Sequence, residues 1–184
     1  MTDVPELHTE RLVMRGWRDE DLDAWEPIAA APEVYTALGR TEPPGPGDAW
    51  REMAFWAGHW ELKGFGHWLL EERESGRIVG RAGLLRPPDW PDLEVGWTVA
   101  PEHWGKGYAP EAGRAACEWA HDVLGARHIV SLIEPRNANS IRVAEKLGET
   151  AEGTFQYRGF DLRVYGADLP LAGSPEKLRV QSVA

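Results

Sequence analysis

The densest group of residues with chemical potential is Val99-Ala-Pro-Glu-His-Trp-Gly-Lys-Gly-Tyr-Ala-Pro-Glu-Ala112. A strand-like run ends at Ala100, a short turn carries Gly105 and Gly107, and a helical pattern follows. Glycine tolerates positive φ and lets a ligand approach the backbone. A helix start adds unpaired N–H groups and the positive end of the helix dipole, so the arrangement suits an anion such as a diphosphate. Pro110 fits the first helical turn, where its missing N–H costs nothing. Two nucleotide fingerprints fail on spacing. A dinucleotide turn needs a third glycine, and the residue three after Gly107 is Pro110. A P-loop needs Gly-Lys followed by Ser or Thr after a longer spacer, and Lys106 is followed by Gly107. On these residues alone, a plain strand-to-helix turn stays open.

Other reactive residue types say less. Cys117 lies mid-helix without a motif, which argues against a covalent acyl-enzyme. His8, His59, His67, His103, His121 and His128 show no metal-ligand spacing, so no metal is expected. Glu111 sits at a helix start, where the dipole alone accounts for an acid. On the strand before the turn, Leu93, Val95, Trp97 and Val99 share one face, while Glu94, Gly96 and Thr98 share the other. Gly96 leaves room for a ligand beside Glu94, although a solvent-facing carboxylate is the simpler reading. Asn137 and Ser140 are ordinary helix-start residues. Arg142 and Lys146 lie one helical turn apart and face either an anion or water.

The elements that must position these residues follow from periodicity and breakers. Leu7–Trp17 reads as an edge strand, Asp19 to about Ala30 as a helix with acids in its first turn, and Pro32–Leu38 as a short helix. Thr41–Asp48 is loop, with Asp48 expected to cap the next helix, which carries Trp50, Met53, Ala57 and Trp60 at helical spacing. His67–Glu74 and Arg77–Leu85 form a hairpin about Ser75-Gly76. Leu93–Ala100 is strand, Gly107–Leu124 helix capped by Gly125, His128–Glu134 strand, and Asn139–Leu147 a helix stopped by Gly148. Thr150–Tyr157 and Phe160–Ala167 close the pattern as a second hairpin. Adjacent hairpin strands followed by a strand-helix-strand crossover imply an α/β (α+β) fold: a mixed, mostly antiparallel sheet of seven strands with helices on both faces.

Three segments together resemble a known family. Glu94-Val-Gly-Trp-Thr-Val-Ala-Pro-Glu-His-Trp-Gly-Lys-Gly-Tyr-Ala-Pro-Glu-Ala112 and Asn137-Ala-Asn-Ser-Ile-Arg-Val-Ala-Glu-Lys-Leu-Gly148 are similar to motifs of the GNAT superfamily of acetyl-CoA-dependent N-acetyltransferases. Leu7-His-Thr-Glu-Arg-Leu-Val-Met-Arg15 resembles the start of its branch containing ribosomal-protein N-terminal acetyltransferases. The resemblance covers Leu7 to about Ala167 and agrees in order with the elements above.

It implies acetyl-CoA as co-substrate and a primary amine as acceptor. The branch tilts toward a protein N-terminal α-amine, with a polyamine or an aminoglycoside-like amine as alternatives, and a non-catalytic acyl-CoA-sensing domain as the rival reading. The backbone of Trp104, Gly105, Lys106, Gly107, Tyr108 and Ala109 would then wrap the CoA diphosphate. Trp97, Thr98 and Val99 would bond the pantetheine arm, with backbone N–H groups there as oxyanion donors. Many superfamily members carry Gln or Arg where Trp104 stands, and the essential contacts come from backbone. Asn137 would bond pantetheine, and Lys146 would meet phosphate. An amine must lose its proton before attack, so a carboxylate base is expected, and Glu94 is the candidate. Ser140 would donate a proton toward the CoA sulfur, with Tyr157 as an alternative. His59 and Trp60 would line the acceptor side, although core packing explains Trp60 equally well.

Length and composition bound these readings. The 184 residues make one domain, expected over residues 1–169, with a loosely ordered tail over 170–184. Lys plus Arg total 20 against 30 Asp plus Glu, and a net charge of -10 repels a nucleic-acid backbone. One cysteine excludes an internal disulfide. No signal peptide is expected at the acidic start, and apolar runs such as Ile129–Ile133 are too short to cross a bilayer, so a cytoplasmic monomer or homodimer without membrane contact is expected. Ten tryptophans point to a well-filled core.

Overall fold

The computed structural model describes residues 3–173 and the backbone of 180–181. In chain order the elements are β1 (Glu6–His8), β2 (Leu12–Arg15), a 3-10 turn (Asp19–Asp21), α1 (Leu22–Ala29), α2 (Pro32–Ala37), α3 (Pro46–Lys63), β3 (His67–Glu72), β4 (Ile78–Leu85) and β5 (Glu94–Val99). A 3-10 turn (Pro101–His103), α4 (Tyr108–Leu124), β6 (His128–Ile133), α5 (Ala138–Leu147), β7 (Thr150–Tyr157), β8 (Phe160–Asp168) and β9 (Val180–Gln181) follow.

The sheet order is β7-β8-β6-β5-β4-β3-β2-β1-β9, and every pair is antiparallel except β5 with β6. That one parallel pair is the consequence of the α4 crossover, because parallel neighbours cannot be joined by a tight turn. Nine strands stand among the described residues where seven were expected. Leu7–Trp17 is not one strand. It turns back on itself at Thr9–Arg11, pairing Leu7 with Met14, and the Thr9 N–H closes the turn on the Leu12 carbonyl at 2.9 Å. The other addition is Val180–Gln181, which pairs with Glu6 and Leu7. Of the segment expected as a loose tail, Leu171 is also buried, while residues 174–179 and 182–184 lie outside the described residues.

Helices cover both faces. On α4, Ala112, Ala115, Ala116, Trp119 and Ala120 recur at helical spacing and pack against Leu12, Met14, Trp68, Val79, Val95 and Ile129. On the opposite face Trp25 and Ile28 of α1 and Ala49 and Met53 of α3 pack against Leu69. Strand alternation places Trp68 and Leu70 in the first cluster and Leu69 in the second.

Three local expectations need correction. α3 begins at Pro46 after Gly45; Asp48 sits inside its first turn, where its carboxylate accepts the Gly45 N–H at 3.4 Å. The β3–β4 connection spans residues 73–77, not two residues: the Glu72 N–H bonds the Arg77 carbonyl and the Glu72 carbonyl accepts the Gly76 N–H, each at 2.8 Å, so the turn closes at Glu72. The tryptophans divide: Trp25, Trp56, Trp60, Trp68 and Trp119 are buried, whereas Trp50 and Trp104 are exposed.

Trp60, Trp68 and Trp119 meet edge-on, with ring centres 4.8–5.7 Å apart, and join α3, the sheet and α4. Trp68 is fully buried and donates its indole N–H to the Pro5 carbonyl at 2.8 Å. Trp68→Ala should therefore cost about 3–5 kcal/mol of stability. Trp50→Ala, at a half-exposed site, should stay within about 0.5 kcal/mol of wild type. Urea unfolding of the two variants checks the contrast.

Candidate active site

β5 and β6 start together and then part. Their ladder consists of the single register pair Glu94–Val130, fastened by the Val130 N–H to the Leu93 carbonyl at 2.9 Å. Across β5, the Ala100 N–H bonds the Val79 carbonyl, so backbone groups of even-numbered β5 residues turn toward β4 and those of Val95, Trp97 and Val99 toward β6. As β6 departs, side chains replace it. Ser131 Oγ donates to the Val95 carbonyl at 2.9 Å, and the Trp104 indole N–H donates to the Val99 carbonyl at 2.7 Å. The N–H groups of Trp97 and Val99 are left facing the gap.

That gap widens into a cleft of about 910 Å³. Trp97, Thr98 and Val99 line it from β5, as do Trp104, Gly105, Gly107, Tyr108 and Ala109 from the following turn and helix start. Asn137, Ser140, Arg142 and Lys146 line it from α5 and the turn before it. The sequence-derived binding residues thus converge on one cavity, with two exceptions. Lys106 does not line it; its Nζ lies 3.1 Å from His103 Nδ1. Glu94 lies further back, four residues or about 13 Å along β5 from Thr98. α2 and Phe160 close the outer side of the cleft.

The glycine turn has the geometry of an anion cradle. Gly105 and Gly107 have φ of 78° and 89°, and a side chain at Gly105 would meet only open space. Gly107 is the N-cap of α4, so the first helical N–H groups, those of Tyr108 and Ala109, emerge at the cleft. The Tyr108 hydroxyl is anchored on Glu72 of β3. Asn137 caps α5, its Oδ1 accepting the Ser140 N–H at 3.0 Å, which leaves its amide donors for a ligand. These open N–H groups, with Arg142 and Lys146 beside them, fit the phosphate and amide chemistry of coenzyme A.

Glu94 is not the solvent-facing carboxylate that its position first suggests. Its carboxyl is enclosed at the apex where β5 and β6 separate, accepting the Trp90 indole N–H at 2.5 Å and the Leu132 backbone N–H. Burial pushes its pKa up from 4.5 to about 7, against the opposing pull of the Trp90 bond, the Arg81 charge and the Leu132 N–H. His67 faces the same point: a side chain on Gly96 would lie 3.5 Å from His67 Nε2 and 3.6 Å from Glu94 Oε1. Arg81 donates to His67 Nδ1 at 2.8 Å, and since arginine only donates, the ring proton sits on Nε2. Burial and the Arg81 charge hold His67 well below its usual pKa, so it is neutral. Trp56 stacks on His67 at 3.8 Å, and Glu52 pairs with Arg81 at 2.9 Å.

Behind the apex, Glu149 is buried, with Oε1 3.1 Å from Ser131 Oγ. The Ser131 hydroxyl thus lies within donating distance of both the Val95 carbonyl and Glu149 Oε1. Burial, with the charges of Glu94 and Glu152, raises the Glu149 pKa from 4.5 to about 7 against the pull of the Ser131 hydroxyl.

Several other candidates fall elsewhere. His59 is buried, its Nδ1–H donating to the Phe65 carbonyl and its Nε2 accepting the Arg86 N–H, and Trp60 is core. Neither lines the cleft. Tyr157 packs edge-on against Trp90, the residue that bonds Glu94, and lies outside the cleft wall. Cys117 is buried, its thiol pushed well up by burial. Glu111 does more than complement a helix dipole, because it forms an ion pair with Arg11 at 2.6 Å. His67, Arg81, Arg11 and Glu149 were not singled out in the sequence. Among the described residues no helix is long and apolar enough to cross a membrane.

Residues 11–150 match the acetyltransferase (GNAT) domain family. The protein YkkB of Bacillus subtilis is 34% identical over 107 residues, an alignment spanning 56% of this chain and 62% of that protein. The N-acetyltransferase YoaA of the same organism is 25% identical over 173 residues, 90% of this chain and 98% of its own. The crystal structure of an acetyltransferase from Agrobacterium tumefaciens superposes with a TM-score of 0.79 at 31% identity, covering 91% of this chain and 96% of that one. More distant neighbours that share the fold include a ribosomal-protein-alanine acetyltransferase and an aminoglycoside acetyltransferase in complex with coenzyme A, each 16% identical. The chain belongs to the GNAT acetyltransferase family.

Proposed function

We propose that the protein transfers an acetyl group from acetyl-CoA to the α-amine of a protein or peptide N-terminus, with Glu94 as general base. The observation that carries this reading is the Glu94 carboxyl, set where β5 and β6 separate behind the cleft and raised by burial to a pKa of about 7. A base works best with a pKa near the operating pH, and proton transfer to it costs more the further the pKa of the ammonium group lies above its own. An α-ammonium group has a pKa of about 7.7–8.0 and a lysine-type ammonium about 10.4. A carboxylate at about 7 lies within about one unit of the first and more than three units from the second. The arrangement therefore favours an α-amine over a polyamine or other strongly basic primary amine.

Acetyl-CoA, when bound, supplies an acetyl thioester. Gly105 through Ala109 hold its diphosphate through backbone N–H groups, aided by Arg142 and Lys146. Asn137 and the cleft-facing backbone of Trp97 and Val99 hold its pantetheine arm. Glu94 takes the proton that the ammonium form of the acceptor gives up. The N–H groups of Trp97 and Val99 stabilise negative charge on the acetyl oxygen, and as preformed donors they need no reorganisation. Ser140, on the cleft wall, donates to the departing sulfur; a thiolate leaves readily, so this contribution is small. Neutral His67 lies beside Gly96 without adding a second positive charge near Glu94.

Three outcomes test the proposal. With acetyl-CoA and a panel of acceptors, CoA release should be fastest with a peptide bearing a free N-terminus; faster turnover on spermidine or an aminoglycoside would reassign the acceptor, and no turnover on any would favour an acyl-CoA sensor. Glu94→Gln should keep acetyl-CoA affinity and lower kcat by about 10²–10⁴-fold, with the loss shrinking as pH rises and the amine loses its proton unaided. Replacing Gly107 by Val, which forces a β-branched side chain into a φ of 89°, should weaken CoA binding at least about tenfold by calorimetry in a folded protein.

The raised pKa of Glu94 also predicts a stability effect. The folded state keeps a proton that the unfolded chain releases, so this carboxyl's contribution to stability falls as pH rises from about 4.5 to about 7. The stability of Glu94→Gln relative to wild type should therefore rise across that window. Urea midpoints at a series of pH values read the difference, and a flat difference would contradict the shift.

A further inference from the structure

The glycine turn is held from behind by residues nearly a hundred positions away. Arg11, at the turn of the β1–β2 hairpin, donates from Nη1 to the Lys106 carbonyl at 2.7 Å. Its Nε and Nη2 reach Glu111 Oε2 at 2.7 and 2.6 Å. Its own backbone N–H and the Thr9 hydroxyl donate to Glu111 Oε1 at 2.9 and 2.6 Å. Both carboxylate oxygens of Glu111 are thereby occupied, and the guanidinium lies over the Tyr108 ring at 4.9 Å. The hairpin turn, the glycine turn and the first turn of α4 form one hydrogen-bonded unit.

A trans peptide points its C=O and its N–H in opposite directions. The Lys106 carbonyl is drawn toward Arg11, so the N–H of the same peptide unit, that of Gly107, is turned the other way, and Gly107 lines the cleft. A side chain at Gly107 would also crowd Arg11 Nη2 at 3.3 Å, a second reason for glycine there. We infer that Arg11, locked by Glu111, is a positioning residue that sets the peptide orientation of the glycine turn and so its affinity for the diphosphate of the acetyl donor. Arg11 need not touch the ligand. Glu111 already balances its charge, so its effect runs through the backbone donor it aims. This inference rests on the reading of the cleft as the acetyl-CoA site.

The test compares ligands with and without the diphosphate. Arg11→Met keeps the stem and removes the guanidinium. By calorimetry it should weaken CoA binding by about 10- to 100-fold, the worth of a charge-assisted hydrogen bond. Arg11→Lys, which keeps the charge but not the fork, should recover only part of that loss. With S-acetylpantetheine, which lacks the diphosphate, as alternative donor, the ratio of kcat/KM for acetyl-CoA to that for S-acetylpantetheine should fall at least about tenfold in Arg11→Met. An unchanged ratio, with both donors equally impaired, would make Arg11 merely structural and overturn the inference, as would wild-type CoA affinity in folded Arg11→Met. If Arg11→Met does not fold, Glu111→Gln, which loosens the lock but retains Arg11, is read by the same two measures. Absence of CoA binding by the wild-type protein would instead bring down the cleft assignment, and this inference with it.

Discussion

The arrangement of the site depends on how the backbone of β5 is satisfied once its parallel neighbour leaves. A central strand must find partners for its N–H and C=O groups on both sides, or carry them to a solvated or ligand-bearing surface. β4 serves one side of β5 along its whole length. On the other side the partners change with distance from the apex. Leu93 takes a backbone N–H, Val95 takes the Ser131 hydroxyl, and Val99 takes the Trp104 indole. Trp97 lies between these substitutions, and its amide group opens to the cleft together with the Val99 N–H. The same divergence that weakens the sheet creates directional donors where an extended, amide-bearing ligand arm can take the place of the missing strand.

Separation of the strands also shapes the electrostatics of the apex. The space there is filled by polar groups: Glu94 from β5, Ser131 from β6, and Glu149 from the segment after α5. Two buried carboxyls close enough to influence one another cannot both ionise cheaply, and each lies above its ordinary pKa. The hydrogen bonds around them differ. Glu149 has the Ser131 hydroxyl on Oε1 and, among the described residues, no partner on its buried Oε2. Glu94 accepts two N–H donors, which favour its ionised form. The two carboxyls thus differ by a few hydrogen bonds rather than by residue type.

Much of the fold was legible because its elements repeat a local period. α4 shows its apolar stripe and its terminal glycine, and β5 shows its alternation; the residues expected to bind the donor, Lys106 apart, converge on one cleft. What local pattern cannot carry is a contact between distant segments. The turn at Thr9–Arg11 was missed because its residues carry neither glycine nor proline. It closes through the Thr9 hydroxyl and backbone, and its partner Glu111 lies about a hundred residues on. The enclosure of Glu94 was equally hidden: Trp90 is near in sequence, but His67, Arg81 and Leu132 come from three other places. Lys106 shows the same limit: its Nζ lies 3.1 Å from His103 Nδ1, while its carbonyl accepts from the distant Arg11.

This placement resolves an apparent conflict between a chain of net charge -10 and an anionic co-substrate. A diphosphate held mainly by lysine side chains would depend on long-range attraction, which the surplus of acids opposes and which salt screens. Backbone N–H groups at a helix start act only at hydrogen-bond range and carry no net charge to be cancelled by distant carboxylates. Two acids near the turn are themselves engaged: Glu111 by Arg11 and Thr9, Glu72 by Tyr108. An acidic surface can then attract a cationic amine acceptor while the cleft retains an anion. The two substrates are distinguished by the range over which each is recognised, charge at long distance for one and fixed dipoles at contact for the other.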